Sequence, residues 1–175
     1  QWRILARRIE ELTADSEVDG VVVTHGTDTL EEAAFFLELV CKSGKPVVLT
    51  AAMRPSTALS TDGPANLFQA VLAATSPQLQ SHGLLVVMNG LVIPGWQIIK
   101  TDSVALDSFH AYPGGPIGKI VGESLLVFGS PNLSPLVGRF HDHFRNDDEL
   151  PFVDIVLLRA GCGDKPLDDF GINAC

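Results

Sequence analysis

Short, uniformly apolar runs alternate along the first half of the chain with segments in which apolar residues recur every three or four positions. The runs at 20–24, 46–50 and 84–88 predict buried strands, because a strand covered on both faces carries apolar side chains on both. The periodic segments at 28–40 and 62–75 predict the helices between these strands. Strands that alternate with helices are typical of a parallel sheet, so the pattern indicates an α/β fold.

The predicted helices differ in how they begin. An amphipathic segment at 2–12 has apolar residues at positions 2, 5, 9 and 12 and no capping residue before it. The helix at 62–75 has Asp62 at its expected N-cap and Pro64 in its first turn, and Ser76-Pro77 ends it. Because the chain opens inside a helix and closes just after a strand-like run, we expect it to be a fragment.

Glycine and proline become frequent in the second half of the chain, where short strands such as 125–128 are expected. We predict an α/β domain over residues 1–128, with a mostly parallel sheet flanked by helices. A polar linker over 129–150 follows. The apolar run at 152–158 predicts a new strand, and residues 151–175 are expected to begin a smaller second α/β domain.

The charge of the chain limits its partners. A formal net charge of −9 argues against nucleic acid, whose phosphates need clustered Lys and Arg. No apolar run reaches the roughly 18 residues of a membrane span, and Gln1-Trp2-Arg3 does not resemble a signal peptide. Cys41, Cys162 and Cys175 lack the spacing of a zinc site or a disulfide framework, so we interpret them as free thiols.

Polar loops follow two of the predicted strands. Ligands of parallel sheets bind beyond the carboxyl ends of strands, which is where 24–29 lies. Thr27 and Asp28 stand beside the N-terminus of the next helix, whose N–H groups favour an anion or a developing oxyanion. The alternative is an ordinary helix cap, with Glu31 completing a capping box. The second loop, at 51–64, is by itself explained equally well as a functional loop or as a turn followed by a capped helix.

The two loops carry the long motifs HGTDTLEEAAFFLEL, at 25–39, and AAMRPSTALSTDGPANLFQAV, at 51–71. Together these motifs closely resemble the bacterial L-asparaginase family, and the form MRPST is more similar to its type II branch. The similarity continues through VVMNGLVIPGWQIIKTDSVALDSFHAYPGGPIG, at 86–118. Two long motifs in the same order make the resemblance specific.

The resemblance implies an enzyme, an amidohydrolase that converts asparagine to aspartate and ammonia through an acyl-enzyme, with glutamine as a lesser substrate. It implies that Thr27, Asp28 and Lys100 are catalytic. Thr27 and Asp28 would also bind substrate, Asp28 through the α-amino group, and the main chain at Ala52 would face the side-chain amide. Lys100 would act as the base, through the Thr27 hydroxyl. The family uses no metal or organic cofactor.

The resemblance also implies parts that this sequence does not contain. The family's other catalytic threonine and its α-carboxylate-binding segment would precede Gln1, so we expect the 175-residue chain alone to lack asparaginase activity. The resemblance implies a homotetramer for the full-length protein, and it leaves both the periplasm and the cytoplasm open as the compartment. Ala51 replaces a glycine that is common in the family, and Trp96-Gln97 replaces a stretch that usually contains arginine.

Two other hypotheses belong to different functional classes. One is an asparaginase-like subunit of a tRNA-dependent amidotransferase, which the net charge of −9 disfavours. The other is a non-catalytic amino-acid-binding domain.

The remaining polar residues are assigned structural roles. We expect His25 to be a structural hydrogen-bonding group, Arg54 to anchor its own loop, and Glu31 and Glu32 to complement the helix dipole. His141-Asp142-His143 is interpreted as a solvated run rather than a metal site.

Overall fold

The computed structural model describes residues 1–128, 136–145 and 153. The helices are α1 (Trp2–Ala14), α2 (Leu30–Val40), α3 (Gly63–Ala74) and α4 (His141–Arg145), with 3₁₀ turns at Pro77–Leu79 and Gly95–Gln97. The strands are β1 (Val21–Thr24), β2 (Val47–Thr50), β3 (Leu84–Met88), β4 (Leu91–Pro94), β5 (Ile98–Lys100), β6 (Phe109–Ala111), β7 (Gly118–Val121) and β8 (Ser124–Val127). The three helices and the short strand at 125–128 predicted from the pattern are confirmed to within two residues at each end.

The main sheet has six strands in the order β1-β2-β3-β4-β7-β8, and β5 pairs with β6 in a separate ribbon. Strands β1, β2 and β3 are parallel, with Val21 opposite Val47 and Val47 opposite Leu84. The pairs from β3 through β8 are antiparallel. The α/β class is therefore confirmed. The expected parallel arrangement holds for the first three strands, and the described sheet as a whole is mixed.

Both faces of the central strands β2 and β3 are covered, and successive residues of these strands face opposite layers. Val47 and Leu49 of β2 lie in the core that contains α1 and α2, whereas Val48 lies in the core that contains α3. The same alternation places Val86 on the first face and Val87 on the second. All five side chains are at most 2% exposed, which explains why these strands are apolar at every position.

Residues 136–145 pack against helices α1 and α2. The ring of Phe144 in α4 meets that of Phe36 in α2 edge-on, with centroids 5.3 Å apart. His141 Nε2 lies 2.8 Å from Glu10 Oε1 of α1, and the His141 side chain is 13% exposed. The expectation of a solvated run is therefore wrong for His141, since Glu10 of α1 contacts its ring and little of the side chain is exposed.

The proposed boundaries of the linker and of the second domain stay predictions. The strand expected at 152–158 lies outside the described residues, apart from Val153, and so do Cys162 and Cys175.

Cys41 is a buried free thiol. Its pKa is raised to about 12 by burial and by the nearby Glu10 and Glu38 carboxylates.

In the part of the chain that is described, every helix is too short or too polar to cross a membrane.

A tight turn reverses the direction of the sheet between β3 and β4. Asn89 and Gly90 connect the two strands, and both have positive φ, +49° and +76°. An Asn-Gly pair favours this turn because both residues tolerate the left-handed conformation. The turn brings β4 back beside β3, so the antiparallel half of the sheet starts here.

Gly90→Ala is expected to lower the free energy of unfolding by about 1–3 kcal/mol. An alanine would be strained at φ +76°, and its Cβ would lie 3.0 Å from the carbonyl oxygen of Ile120. Urea unfolding followed by circular dichroism measures the change. Gly115→Ala is the matched control, because no described residue other than its chain neighbours has an atom within 4 Å of the Cβ position there. Equal stability of the two variants would contradict this account of the turn.

Candidate active site

The loops that follow β1 and β2 lie side by side at one edge of the sheet. Thr24 is opposite Thr50 in the parallel register, and His25 N–H donates to the Thr50 carbonyl at 2.9 Å. Thr50 is itself buried, and its hydroxyl donates to the Val87 carbonyl at 2.8 Å. The polar segments 24–29 and 51–62 are therefore neighbours, as the carboxyl ends of parallel strands should be.

Lys100 meets the first of these loops. Its Nζ donates to Thr27 Oγ1 at 3.0 Å and to Asp28 Oδ1 at 3.2 Å. The Lys100 side chain is 16% exposed, whereas that of Asp28 is 97% exposed. An ion pair with one partner so open to water contributes little to stability. The structure thus brings the three predicted catalytic residues together and leaves the carboxylate accessible to a ligand.

Lys100 is the last residue of β5, and neighbouring elements contact both its side-chain Nζ and its main-chain N–H. The Nζ lies 6.0 Å from the ring centroid of Phe109, which is opposite Lys100 in β6 and is 2% exposed. The Lys100 N–H donates to Glu31 Oε2 at 2.5 Å. Sequence reasoning missed this role of Glu31, because a main-chain partner leaves no mark in the side-chain pattern.

The capping hypotheses for the first loop are wrong. The N-cap of α2 is Thr29, not Thr27 or Asp28, and its side chain makes no capping hydrogen bond. The Glu31 carboxylate contacts Lys100 rather than closing a capping box. Thr27 and Asp28 therefore lie before the helix, and their side chains contact Lys100 Nζ.

Ala52 stands exposed in the second loop, next to the buried Ala51. The loop is held from below by Asn66, which is 2% exposed. Its Nδ2 donates to the Ala51 carbonyl at 2.9 Å, and its Oδ1 accepts from Asn89 N–H at 3.0 Å. One buried amide thereby connects the loops that follow β2 and β3.

Asp62 occupies the N-cap position of α3, as predicted, but its carboxylate does not cap that helix. It accepts instead from the N–H groups of Met53 and Arg54, each at 2.9 Å, and from Asn66 Nδ2 at 3.0 Å. Burial of the carboxylate raises its pKa, but these hydrogen bonds outweigh that effect, so the pKa of Asp62 lies below its ordinary value. Asp62 thus closes the second loop around Ala52.

The predicted structural roles of His25 and Arg54 are confirmed. His25 Nδ1 lies 2.8 Å from the Gly26 carbonyl, and Arg54 donates to the Ser60 carbonyl at 2.8 Å. Gln97 Oε1 is buried and has no hydrogen-bond partner among the residues that the structure describes. Within the described ranges, no group of three or more His, Cys, Asp or Glu side chains could hold a metal ion.

Comparison with known proteins shows which family the chain belongs to. The family described as "Asparaginase, N-terminal" matches residues 1–133. The chain belongs to the asparaginase family. The solved structure of a probable cytoplasmic L-asparaginase from Campylobacter jejuni superposes with a TM-score of 0.83 at 37% identity, over 98% of this chain and 53% of that one.

Three curated relatives are also similar to this asparaginase-family chain. L-asparaginase 2 of Bacillus subtilis is 44% identical over 152 residues, which are 87% of this chain and 40% of that protein. L-asparaginase 2 of Escherichia coli is 40% identical, over 94% of this chain and 47% of that protein. The glutaminase-asparaginase of Pseudomonas fluorescens is 45% identical over 67% of this chain and 32% of its own length. The chain spans less than half the length of each of these relatives.

Asp62→Asn is expected to lower the free energy of unfolding by about 1–2 kcal/mol near neutral pH, because a neutral acceptor replaces a charged one. The folded pKa of Asp62 lies below the ordinary 3.8. The stabilisation is therefore complete above pH 3.8 and is lost as the pH falls through the lower, folded value. Urea unfolding at a series of pH values measures the difference between wild type and variant.

The exposed Asp107 offers a control with the same change of charge, Asp107→Asn. A loss of stability in Asp62→Asn that matched this control, or that persisted undiminished in acid, would contradict the role of Asp62 in the second loop.

Proposed function

We propose that this chain belongs to an enzyme that hydrolyses the side-chain amide of L-asparagine to L-aspartate and ammonia. The observation that carries the proposal is the contact of Lys100 Nζ with both Thr27 Oγ1, at 3.0 Å, and Asp28 Oδ1, at 3.2 Å. Membership of the asparaginase family supports the choice of reaction. The similarity to proteins named L-asparaginase 2 supports the choice of substrate.

The contact is suited to proton transfer. A hydroxyl becomes an effective nucleophile or relay only when a base accepts its proton, and Lys100 Nζ, 3.0 Å from Thr27 Oγ1, is within reach of that proton. In the proposed reaction, the hydroxyl of a catalytic threonine attacks the side-chain amide carbonyl of asparagine. The attack forms an acyl-enzyme, and the C–N bond of the amide breaks. The proton held by Lys100 returns through Thr27 to the departing nitrogen, which leaves as ammonia. Water then hydrolyses the acyl-enzyme and releases aspartate.

Asp28 supplies substrate recognition in this proposal. Its side chain is 97% exposed beside Thr27, so its carboxylate can accept hydrogen bonds from the α-ammonium group of asparagine. The main chain at Ala52, an exposed residue of the neighbouring loop, would face the side-chain amide. We propose glutamine as a lesser substrate, supported by the relative named glutaminase-asparaginase. The proposed assembly of the full-length protein is a homotetramer.

Thr27→Val and Lys100→Met are each expected to lower kcat/KM for asparagine by about 10²–10⁴-fold in the protein expressed from its complete reading frame. The double variant should be no worse than the more severe single variant, because the two groups act on the same proton. Ammonia release under steady-state conditions measures each rate.

Two matched controls test whether the losses are specific. Thr29→Val changes a threonine two positions away that makes no side-chain capping bond, and Lys119→Met changes an exposed lysine. Both should retain the wild-type rate. Wild-type turnover in Thr27→Val or in Lys100→Met would refute the assignment.

Asp28→Asn tests the proposed recognition of the α-ammonium group. Succinamate has the carboxylate and the amide of asparagine but lacks the amine. The wild-type enzyme should prefer asparagine, and Asp28→Asn should reduce that preference by about 10–100-fold, because a charged hydrogen bond is lost only with asparagine. The measurement is kcat/KM for both substrates in both proteins. An unchanged preference would show that another group binds the amine.

A further inference from the structure

The Lys100 main chain has an unusual hydrogen-bond partner. In the ribbon of β5 and β6, Thr101 N–H donates to the Ser108 carbonyl at 2.8 Å, so Thr101 N–H faces β6. Successive N–H groups of an antiparallel strand point to opposite sides, and Lys100 N–H therefore points away from β6. It finds the Glu31 carboxylate, at 2.5 Å. The last residue of β5 is thus held by strand pairing on one side and by a side chain of α2 on the other.

Glu31 also lies close in sequence to the two residues that Lys100 contacts. It is in the first turn of α2, four positions after Thr27 and three after Asp28. The chain from 27 to 31 therefore meets Lys100 twice, through its side-chain Nζ and through its main-chain N–H. We propose that Glu31 is a positioning residue, which fixes the backbone of Lys100 so that Nζ stays in contact with Thr27.

The flexibility of lysine makes such an anchor necessary. Its four-carbon stem is rotatable, so the position of Nζ depends on where the Cα is held. A displacement of about 1 Å at a reacting group can cost on the order of 10²-fold in rate. A carboxylate is a strong acceptor for a backbone N–H, stronger than a neutral oxygen at the same place. Glu31 meets that need at the end of a strand of only three residues.

The helix dipole does not account for this arrangement. Glu32 lies in the same first turn and has the same charge, so it interacts with the dipole equally well. Glu32 is exposed, whereas Glu31 is partly buried and directed at Lys100 N–H. Comparison of the two adjacent glutamates therefore distinguishes the general effect of the helix dipole, which both share, from the specific contact with Lys100 N–H, which Glu31 makes.

This inference rests on the proposed function, and the test uses the protein expressed from its complete reading frame. Glu31→Met removes the acceptor but keeps the length of the side chain, and Glu31→Gln keeps a neutral acceptor. We expect Glu31→Met to lower kcat for asparagine by about 10–100-fold with little change in KM. Glu31→Gln should retain kcat to within about fivefold, because its amide oxygen still accepts from Lys100 N–H. Glu32→Met is the control and should match wild type.

Crystal structures of the same variants give a second readout that does not depend on turnover. The distance from Lys100 Nζ to Thr27 Oγ1, 3.0 Å in the wild type, should exceed hydrogen-bond length in Glu31→Met and be kept in Glu31→Gln and Glu32→Met. If Glu31→Met does not fold, Glu31→Ala replaces it as the variant without an acceptor.

Several outcomes would overturn the role of Glu31. One is a kcat for the acceptor-free variant within about twofold of wild type, with the contact between Lys100 and Thr27 intact. Another is an equal loss in Glu32→Met, which would indicate the helix dipole instead. If the wild-type protein does not hydrolyse asparagine, the proposed function fails, and the crystal structures still decide whether Glu31 positions Lys100.

Discussion

The contact between Lys100 and the Thr27–Asp28 segment joins residues more than 70 positions apart, and the rest of the described fold makes it possible. A donor and its acceptors must stay within about 3 Å, so the elements that carry them must be fixed to a fraction of that distance. One apolar core provides this rigidity. Leu30 and Leu37 of α2 lie in the same buried cluster as Ile98 of β5 and Phe109 of β6. The helix that follows Thr27 and the strand that ends at Lys100 therefore pack against each other.

Buried polar groups continue this rigidity to the edge of the sheet, where apolar packing ends. Thr50 and Asn66 are each 2% exposed, and both make hydrogen bonds to main-chain groups of other elements. Losing such a partner would leave a buried polar group unsatisfied, which costs about 1–3 kcal/mol. Each bond therefore favours one conformation of the loops over many. The Asp62 carboxylate does the same for the outer part of the second loop.

The fold was predictable where the pattern reports burial. Val47, Val48 and Leu49 are apolar because two layers cover β2, and a periodic pattern reveals this directly. The reversal after β3 also had a local signal, because Asn89-Gly90 between apolar runs is typical of a tight hairpin. The prediction of a mostly parallel sheet did not take this turn into account. The packing of α4 had no such signal. His141 and Asp142 are polar neighbours in sequence, and the tertiary contact with Glu10 distinguishes the partly buried His141 from the exposed Asp142.

The candidate site shows a different limit. Strand ends located the loop with Thr27 and Asp28, but only the resemblance to a family indicated Lys100, because spacing along the chain does not reveal which distant residue meets a loop. Glu31 and Asp62 were harder still. Both are acidic residues near helix starts, and the dipole or a cap explains such residues in most helices. Most of their actual partners are main-chain N–H groups, those of Lys100, Met53 and Arg54, and nearly every residue of any sequence carries such a group. A side chain that binds the main chain leaves no matching side chain to find, so its role becomes visible only when the fold has brought the two together.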